Sequence, residues 1–370
     1  MRFTSLMRLL PTALLLAGCH SNPYYDPAKP HHTTKGFRNN YPHEPPASVW
    51  KWKWEQFWNG VPKEPEGGYQ FELVKPDLNF LAANRAQPTL TWIGHATLLL
   101  QIGGVNVLTD PHLTERASPL RFAGPKRRVP PAIPLDALPH IDIVVISHNH
   151  YDHLDVQTVE GLNAQSGGPP QFFVPLGLKP WFAEHGITNV LELDWWEQRE
   201  HRGLKIHLLP VQHWSARTPF DRNQTLWGSW LLEHPYFKFY FTGDSGYSRD
   251  FQDIARRFGP IDLAAIPIGA YEPRWFMKTM HVNPEEAVKI HRDLRAKYSV
   301  AVHWGTFRMT DETLDEPPRR LAAALAAAGI PAGRFFVMKH GDTRKLEALF
   351  KMPSTLSRKR KDLVDASGTD

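Results

Sequence analysis

Apolar and polar positions along the chain change their rhythm near residue 88. Thr89–Ile102 and Val105–Leu108 are apolar-rich and flank Gly103-Gly104, which predicts a hairpin. Ile141–Ser147 is an apolar run, the pattern of a buried strand. Phe237–Thr242 alternates and stops at Gly243-Asp244; Leu263–Ile268 and Ser299–His303 read as further strands. Helices intervene. Asn283-Pro284-Glu285-Glu286 supplies a cap, a first-turn proline and first-turn acids, and Ala287, Ile290 and Leu294 then share one face. Pro317 to Ala328 predicts a second helix with Gly329 at its end. Strands interleaved with helices, with hairpins among them, predict an α/β protein with mixed sheets. No internal repeat is visible.

Upstream the pattern is irregular. Within 19–48, prolines 23, 27, 30, 42, 45 and 46 stand among polar residues, which predicts a tether without regular structure. An extension over 49–87 opens with Trp50, Trp52, Trp54 and Trp58 and is expected to fold onto the catalytic unit as packing. An interfacial anchor is the competing reading, because indoles prefer the headgroup zone. The catalytic unit is placed at 88–352, and 353–370, with Arg358-Lys359-Arg360-Lys361, reads as a basic solvated tail.

Composition narrows the class. The chain has 370 residues, 42% hydrophobic and 22% charged, which fits a globular protein. Its single cysteine excludes an internal disulfide framework and a Cys-rich zinc finger. The net charge of +5 is a weak argument for nucleic acid. Arg2 and Arg8, the short apolar run from Leu9 to Gly18 and small residues at its end describe a secretory signal over 1–18. Leu16-Ala17-Gly18-Cys19 resembles the bacterial lipobox, which implies lipidation of Cys19 after cleavage. Cleavage would remove Arg2 and Arg8 and lower the charge from +5 to +3. His20 stands where the inner-membrane retention signal has Asp, so the resemblance implies an outer-membrane lipoprotein of a Gram-negative bacterium, facing the periplasm.

The chemistry lies at strand ends. The run Ile141–Ser147 leads directly into His148, His150, Asp152 and His153. Imidazoles and carboxylates are natural ligands for zinc and similar divalent ions. One ion cannot easily take all four ligands and leave room for water; two ions can. His213, Asp244 and His303, each following a predicted strand, complete a candidate binuclear set.

This pattern resembles the metallo-β-lactamase fold superfamily, a four-layer αββα sandwich with two metals at one sheet edge. The resemblance implies that His148, His150 and His213 hold one metal. Asp152, His153 and His303 would hold the other, with Asp244 bridging. The stretches TWIGHATLLLQIGG, ISHNHYDHLD, FTGDSGY, GAYEPRWFM and VHWGTF further resemble the phospholipases D that hydrolyse N-acylphosphatidylethanolamine. That resemblance runs from about Phe37 to His340. It implies a metal-bridging hydroxide attacking phosphorus, with Asp152 as ligand and orienter and His281 lining the site to contact the phosphate or amide or to protonate the leaving alkoxide. Tyr271 is a further substrate-side candidate. His95 and Asp110 are expected beside the ligands, Asp110 fixing a turn. Met280 departs from the polar residue expected before His281, which bears on headgroup recognition.

Two zinc ions are the expected cofactors; iron or manganese would suit the same ligands. The expected partners are a membrane phospholipid substrate and, through the lipid anchor, the membrane itself. No nucleic-acid partner is expected, and the family implies a homodimer. A lactonase or other ester hydrolase of the same fold is the alternative enzyme; a non-enzymatic membrane-associated protein is the other.

Overall fold

A computed structural model describes residues 21–348, with the exception of Pro46. The expected signal segment 1–18, Cys19 and the tail 353–370 lie outside the described residues.

Among the described residues a small hairpin comes first, β1 (His32–Thr33) and β2 (Gly36–Phe37), then α1 (Val49–Asn59) and α2 (Leu78–Ala83). Next come β3 (Thr89–Gly94), β4 (Thr97–Ile102), β5 (Val105–Thr109), β6 (Ile143–Val145), α3 (Val156–Asn163), β7 (Gln171–Pro175), α4 (Lys179–Glu184) and β8 (Val190–Leu193). The second half carries β9 (Gln198–His201), β10 (Leu204–Leu209), β11 (Ser229–His234), β12 (Phe237–Phe241), α5 (Asp250–Phe258) and β13 (Leu263–Pro267). It continues with α6 (Arg274–Met277), α7 (Pro284–Asp293), β14 (Tyr298–Val302), α8 (Glu316–Ala327), β15 (Phe335–Phe336) and β16 (Thr343–Lys345).

Among the described residues two seven-stranded sheets result, ordered β16-β3-β4-β5-β6-β7-β8 and β15-β14-β13-β12-β11-β10-β9. Each is mixed: β5 to β8 and β12 to β15 pair in parallel, while the other neighbours are antiparallel. The pleat sorts side chains into two cores. Ile143, Val145 and Phe173 face Leu208, Trp230 and Phe241 of the other sheet. Val144, Ile146, Phe172 and Val174 turn outward against Val159 and Leu162 of α3 and Phe182 of α4. This explains the uninterrupted apolar run at β6, since a strand covered on both faces has no polar side. Helices α5, α7 and α8 cover the second sheet through Ile254, Ile290 and Leu325. The fold is the expected four-layer αββα sandwich. The parallel strands of both sheets deliver their carboxyl ends to one edge, where ligand sites of such sheets form.

Two upstream expectations need correction. The proline-rich stretch is no loose tether from Asn22 to Tyr41. The Asn22 amide donates to Thr33 and Gly36 carbonyls, and the Asn40 amide donates to Asp250. Lys29, His31 and His32 all converge on Asp194, at 2.5, 2.6 and 2.9 Å. These polar residues pair with groups more than 160 positions away, which composition cannot reveal. The tryptophans of α1 do not all pack either. Trp52 alone is buried, stacked on Phe276 with its indole N–H donating to Asp311, while Trp50, Trp54, Phe57 and Trp58 are exposed. Among the described residues no helix is long and apolar enough to cross a membrane.

Candidate metal centre

The His148–His153 segment leaves the carboxyl end of β6; Asp110 follows β5, His213 follows β10, Asp244 follows β12 and His303 follows β14. His281 lies on the loop between α6 and α7, and His95 in the turn between β3 and β4. The edge is conformationally demanding. His95, Asp110 and His303 all have positive φ, at 52°, 31° and 61°. Non-glycine residues seldom adopt this region, and those that do concentrate at functional sites. Gly243 is required for a different reason. Its φ is 63°, and a Cβ there would lie 2.5 Å from the Ser147 Cβ, so only glycine lets Asp244 approach the β6 loop.

Two groups of donors form. In the first, His148 Nε2 lies 2.8 Å from His150 Nδ1, and His213 Nε2 lies 3.3 Å from that same atom. In the second, Asp152 Oδ2 lies 3.0 Å from His95 Nε2, 3.1 Å from His153 Nε2 and 3.2 Å from His303 Nε2. Asp244 spans both. Its carboxylate is 3.1 Å from His153 and 3.2 Å from His303, and 4.0 Å from both His148 and His213.

Outer partners fix the ring tautomers. The Asp110 carboxylate accepts from Ser147 N–H at 2.6 Å and from Ser147 Oγ at 2.5 Å. Its Oδ2 also lies 2.7 Å from His153 Nδ1. Ser147 Oγ, its proton given to Asp110, is left to accept from His148 Nδ1 at 2.9 Å. His213 Nδ1 donates to the Met280 carbonyl at 2.9 Å. With these Nδ1 atoms engaged on the outer side, the Nε2 atoms of His148, His153 and His213 point inward, the orientation that metal-ligating histidines require.

The electrostatics agree. Burial lowers the pKa of His148 and His213 well below the usual value and that of His150 to about 4, so these rings are neutral. Burial opposes charge on Asp152 and Asp244, yet His153 outweighs it and both stay ionised. Burial likewise opposes protonation of His153 and His303, but Asp244 and Asp152 outweigh it, raising His153 well above its usual value and His303 to about 9. The two carboxylates therefore demand positive charge beside these rings. Neutral rings of His148, His150 and His213, next to buried carboxylates that draw positive charge, suit divalent cations, and the residues fit a metal centre.

The structure brings together all seven residues expected as ligands. His95 comes closer than expected, directly onto Asp152. Asp110 does more than fix a turn, since it orients His153. His281 sits at the margin, its Nδ1 3.8 Å from Asp244, with burial pushing its pKa down to about 4. Arg274 steadies this loop by donating to the His281 carbonyl and to Glu286. Tyr271 is not brought into the cluster; its hydroxyl donates to Glu316 at 2.8 Å, and Arg320 lies over its ring. Sequence reading misses Ser147, and also Asn39, whose amide brackets the backbone of His213. Nothing in their local sequence marks them. The break at Gly94-His95, in contrast, is a visible signal.

Known proteins share this framework. A family model described as the Beta-lactamase superfamily domain matches residues 105–304. The N-acyl-phosphatidylethanolamine-hydrolyzing phospholipase D 1 of Caenorhabditis elegans is 46% identical over 251 residues, covering 64% of this chain and 69% of that one. The mitochondrial N-acyl-phosphatidylethanolamine-hydrolyzing phospholipase D of Saccharomyces cerevisiae is 38% identical over 238 residues, covering 62% of this chain and 50% of its own length. Among solved structures, a possible metal-dependent hydrolase from Veillonella parvula superposes with a TM-score of 0.57 at 20% identity, over 70% of this chain and 100% of that one.

Proposed function

The chain belongs to the beta-lactamase superfamily of metal-dependent hydrolases, and from that premise we propose that it is a phosphodiesterase of phospholipase D type acting on N-acylphosphatidylethanolamine-like lipids. The observation that carries this reading is Asp244 standing between two groups of inward donors. The likeness to the worm and yeast phospholipases supports the choice of substrate.

His148, His150 and His213 would hold one ion, and Asp152, His153 and His303 the other, with Asp244 shared; zinc suits this donor set. Such a pair of ions supplies an activated water and positive charge against the phosphoryl oxygens. The residues do the rest. His95 holds the Asp152 carboxylate in place, so that it can orient the incoming water. His281, neutral and at the margin, is suited to hydrogen-bond the phosphate or the amide of the substrate. In the reaction, water forms a new bond to phosphorus and the bond from phosphorus to the ethanolamine oxygen breaks. The products are phosphatidate and N-acylethanolamine, the leaving oxygen taking up a proton.

In this proposal the mature chain is an outer-membrane lipoprotein held by Cys19, and the described fold begins two residues beyond that anchor. Release of N-acylethanolamine from mixed micelles by the zinc-loaded protein, stopped by chelation, tests the reading. Rapid lactone cleavage with the phospholipid untouched would favour an ester hydrolase instead.

A further inference from the structure

We infer that the edge of the sandwich carrying the metal centre is a docking face for an anionic phospholipid surface. The inference rests on the lipid-substrate reading above and deepens it by assigning the residues that bring the site to the bilayer.

Six aromatic side chains are exposed on segments that adjoin this edge. Trp50, Trp54, Phe57 and Trp58 are 63–82% exposed on α1, and Phe122 and Phe220 are 81% and 88% exposed on loops. Solitary exposed rings need no explanation, but contiguous ones do. On α1 the rings touch one another: Trp54 lies 5.6 Å from Trp58 and 6.5 Å from Phe57, centroid to centroid. Their location is common to all. The Phe122 loop follows β5, the Phe220 loop follows β10 and His213, and α1 lies on α6 through Trp52 and Phe276. Helix α6 follows β13 and leads to His281. The ends of β5 and β10 each lead first to a residue of the metal centre, Asp110 and His213, and then to an exposed ring.

Cations interleave with the rings. Lys51 and Lys53 lie within α1, Lys51 also 3.8 Å from Glu55; Arg222, two positions after Phe220, packs over Trp214; and Arg121 sits between Leu120 and Phe122. Arg121 is exposed and has no ion pair among the described residues. Aromatic rings alternating with Lys and Arg are the composition of segments that lie in the headgroup zone of anionic bilayers.

The chain's own path points the same way. Ser21, the first described residue, lines a cavity of about 510 Å³ together with Tyr151 and Arg217. Those two residues also line a neighbouring cavity of about 250 Å³ with Ser118 and Arg121. Ser21 therefore lies near the loops that carry Phe122 and Phe220.

The test uses the full chain with vesicles of phosphatidylethanolamine and phosphatidylglycerol containing brominated phosphatidylcholine. Tryptophan emission should be quenched, and Trp50→Ala/Trp54→Ala/Trp58→Ala should lose that quenching. The same variant, and separately Phe122→Ala/Phe220→Ala, should cut turnover of vesicle-borne substrate by about tenfold or more. Hydrolysis of a short-chain phosphodiester in solution should be unchanged. Unquenched emission in the parent chain would overturn the inference. So would equal vesicle turnover in both variants, or a change of oligomeric state in the tryptophan variant, which would mean the rings cover a second copy. Loss of the solution reaction in the parent chain with quenching intact would instead strike the proposed reaction and leave the docking face standing.

Discussion

The Asp110 carboxylate lies 2.7 Å from His153 Nδ1, and this contact turns His153 Nε2 toward Asp152 and Asp244. Asp110 holds that position at the cost of an unusual backbone, at φ 31°, and of burial that pushes its own pKa up. Asp110→Asn should leave the fold intact and weaken metal binding by about 10- to 100-fold, the usual loss for an outer partner of a metal-ligating histidine. Competition with a chromogenic chelator measures it. Unchanged affinity would mean that His153 is oriented by other contacts.

Separate donor groups imply separable ions. His148→Ala should lower the zinc content by one ion per chain, His303→Ala should remove the other, and either should bring turnover to background. Elemental analysis of the purified chains decides this. A single ion in the parent protein would contradict the binuclear reading.

Part of this centre is legible in the amino-acid sequence. His148, His150, Asp152 and His153 share one short segment after an apolar strand, so their chemistry is local and readable. His213, Asp244 and His303 are readable because each follows the carboxyl end of a strand, where ligand sites of such sheets form. Ser147, Asn39 and the orienting role of Asp110 are not, because each depends on a contact made across the fold. The hairpin predicted around Gly103-Gly104 is formed by β4 and β5. The break that splits Thr89–Ile102 at His95 is not part of that expectation, although it is the break that carries His95 to Asp152.

The N-terminal segment supplies a third prediction. Burial opposes charge on Asp194, but hydrogen bonds from His31 and Lys29 outweigh it and hold the carboxyl well below its usual range. A depressed carboxyl stabilises the fold above its unfolded pKa of about 3.9, and that stability fades as pH falls below it. Asp194→Asn should therefore lower Tm at neutral pH, expose residues 21–41 to limited proteolysis, and differ less from the parent chain in acid. An uncleaved N-terminal segment in the variant would show that other contacts suffice.

A buried histidine away from the metal centre sets an acid response of opposite origin. Burial pushes His291 down to about 4, with Arg292 and Arg334 adding to it. Its Nδ1 lies 2.8 Å from Ser299 Oγ and its ring stacks on Phe335. An unfolded histidine titrates near about 6.5, so between there and about 4 the unfolded chain binds more protons and stability falls with pH. His291→Leu should reduce the loss of Tm over that window. Equal losses in both chains would mean that the folded ring protonates freely.

Attack of water on phosphorus, at a metal centre built from His and Asp alone, is the step on which the proposed function turns. Hydrolysing N-acylphosphatidylethanolamine in ¹⁸O-labelled water with the zinc-loaded chain, and locating the label by mass spectrometry, tests it most directly. The predicted result is one labelled oxygen in the phosphate of phosphatidate, unlabelled N-acylethanolamine, and no turnover after chelation. Label in a released fatty acid, with no phosphatidate formed, would contradict it.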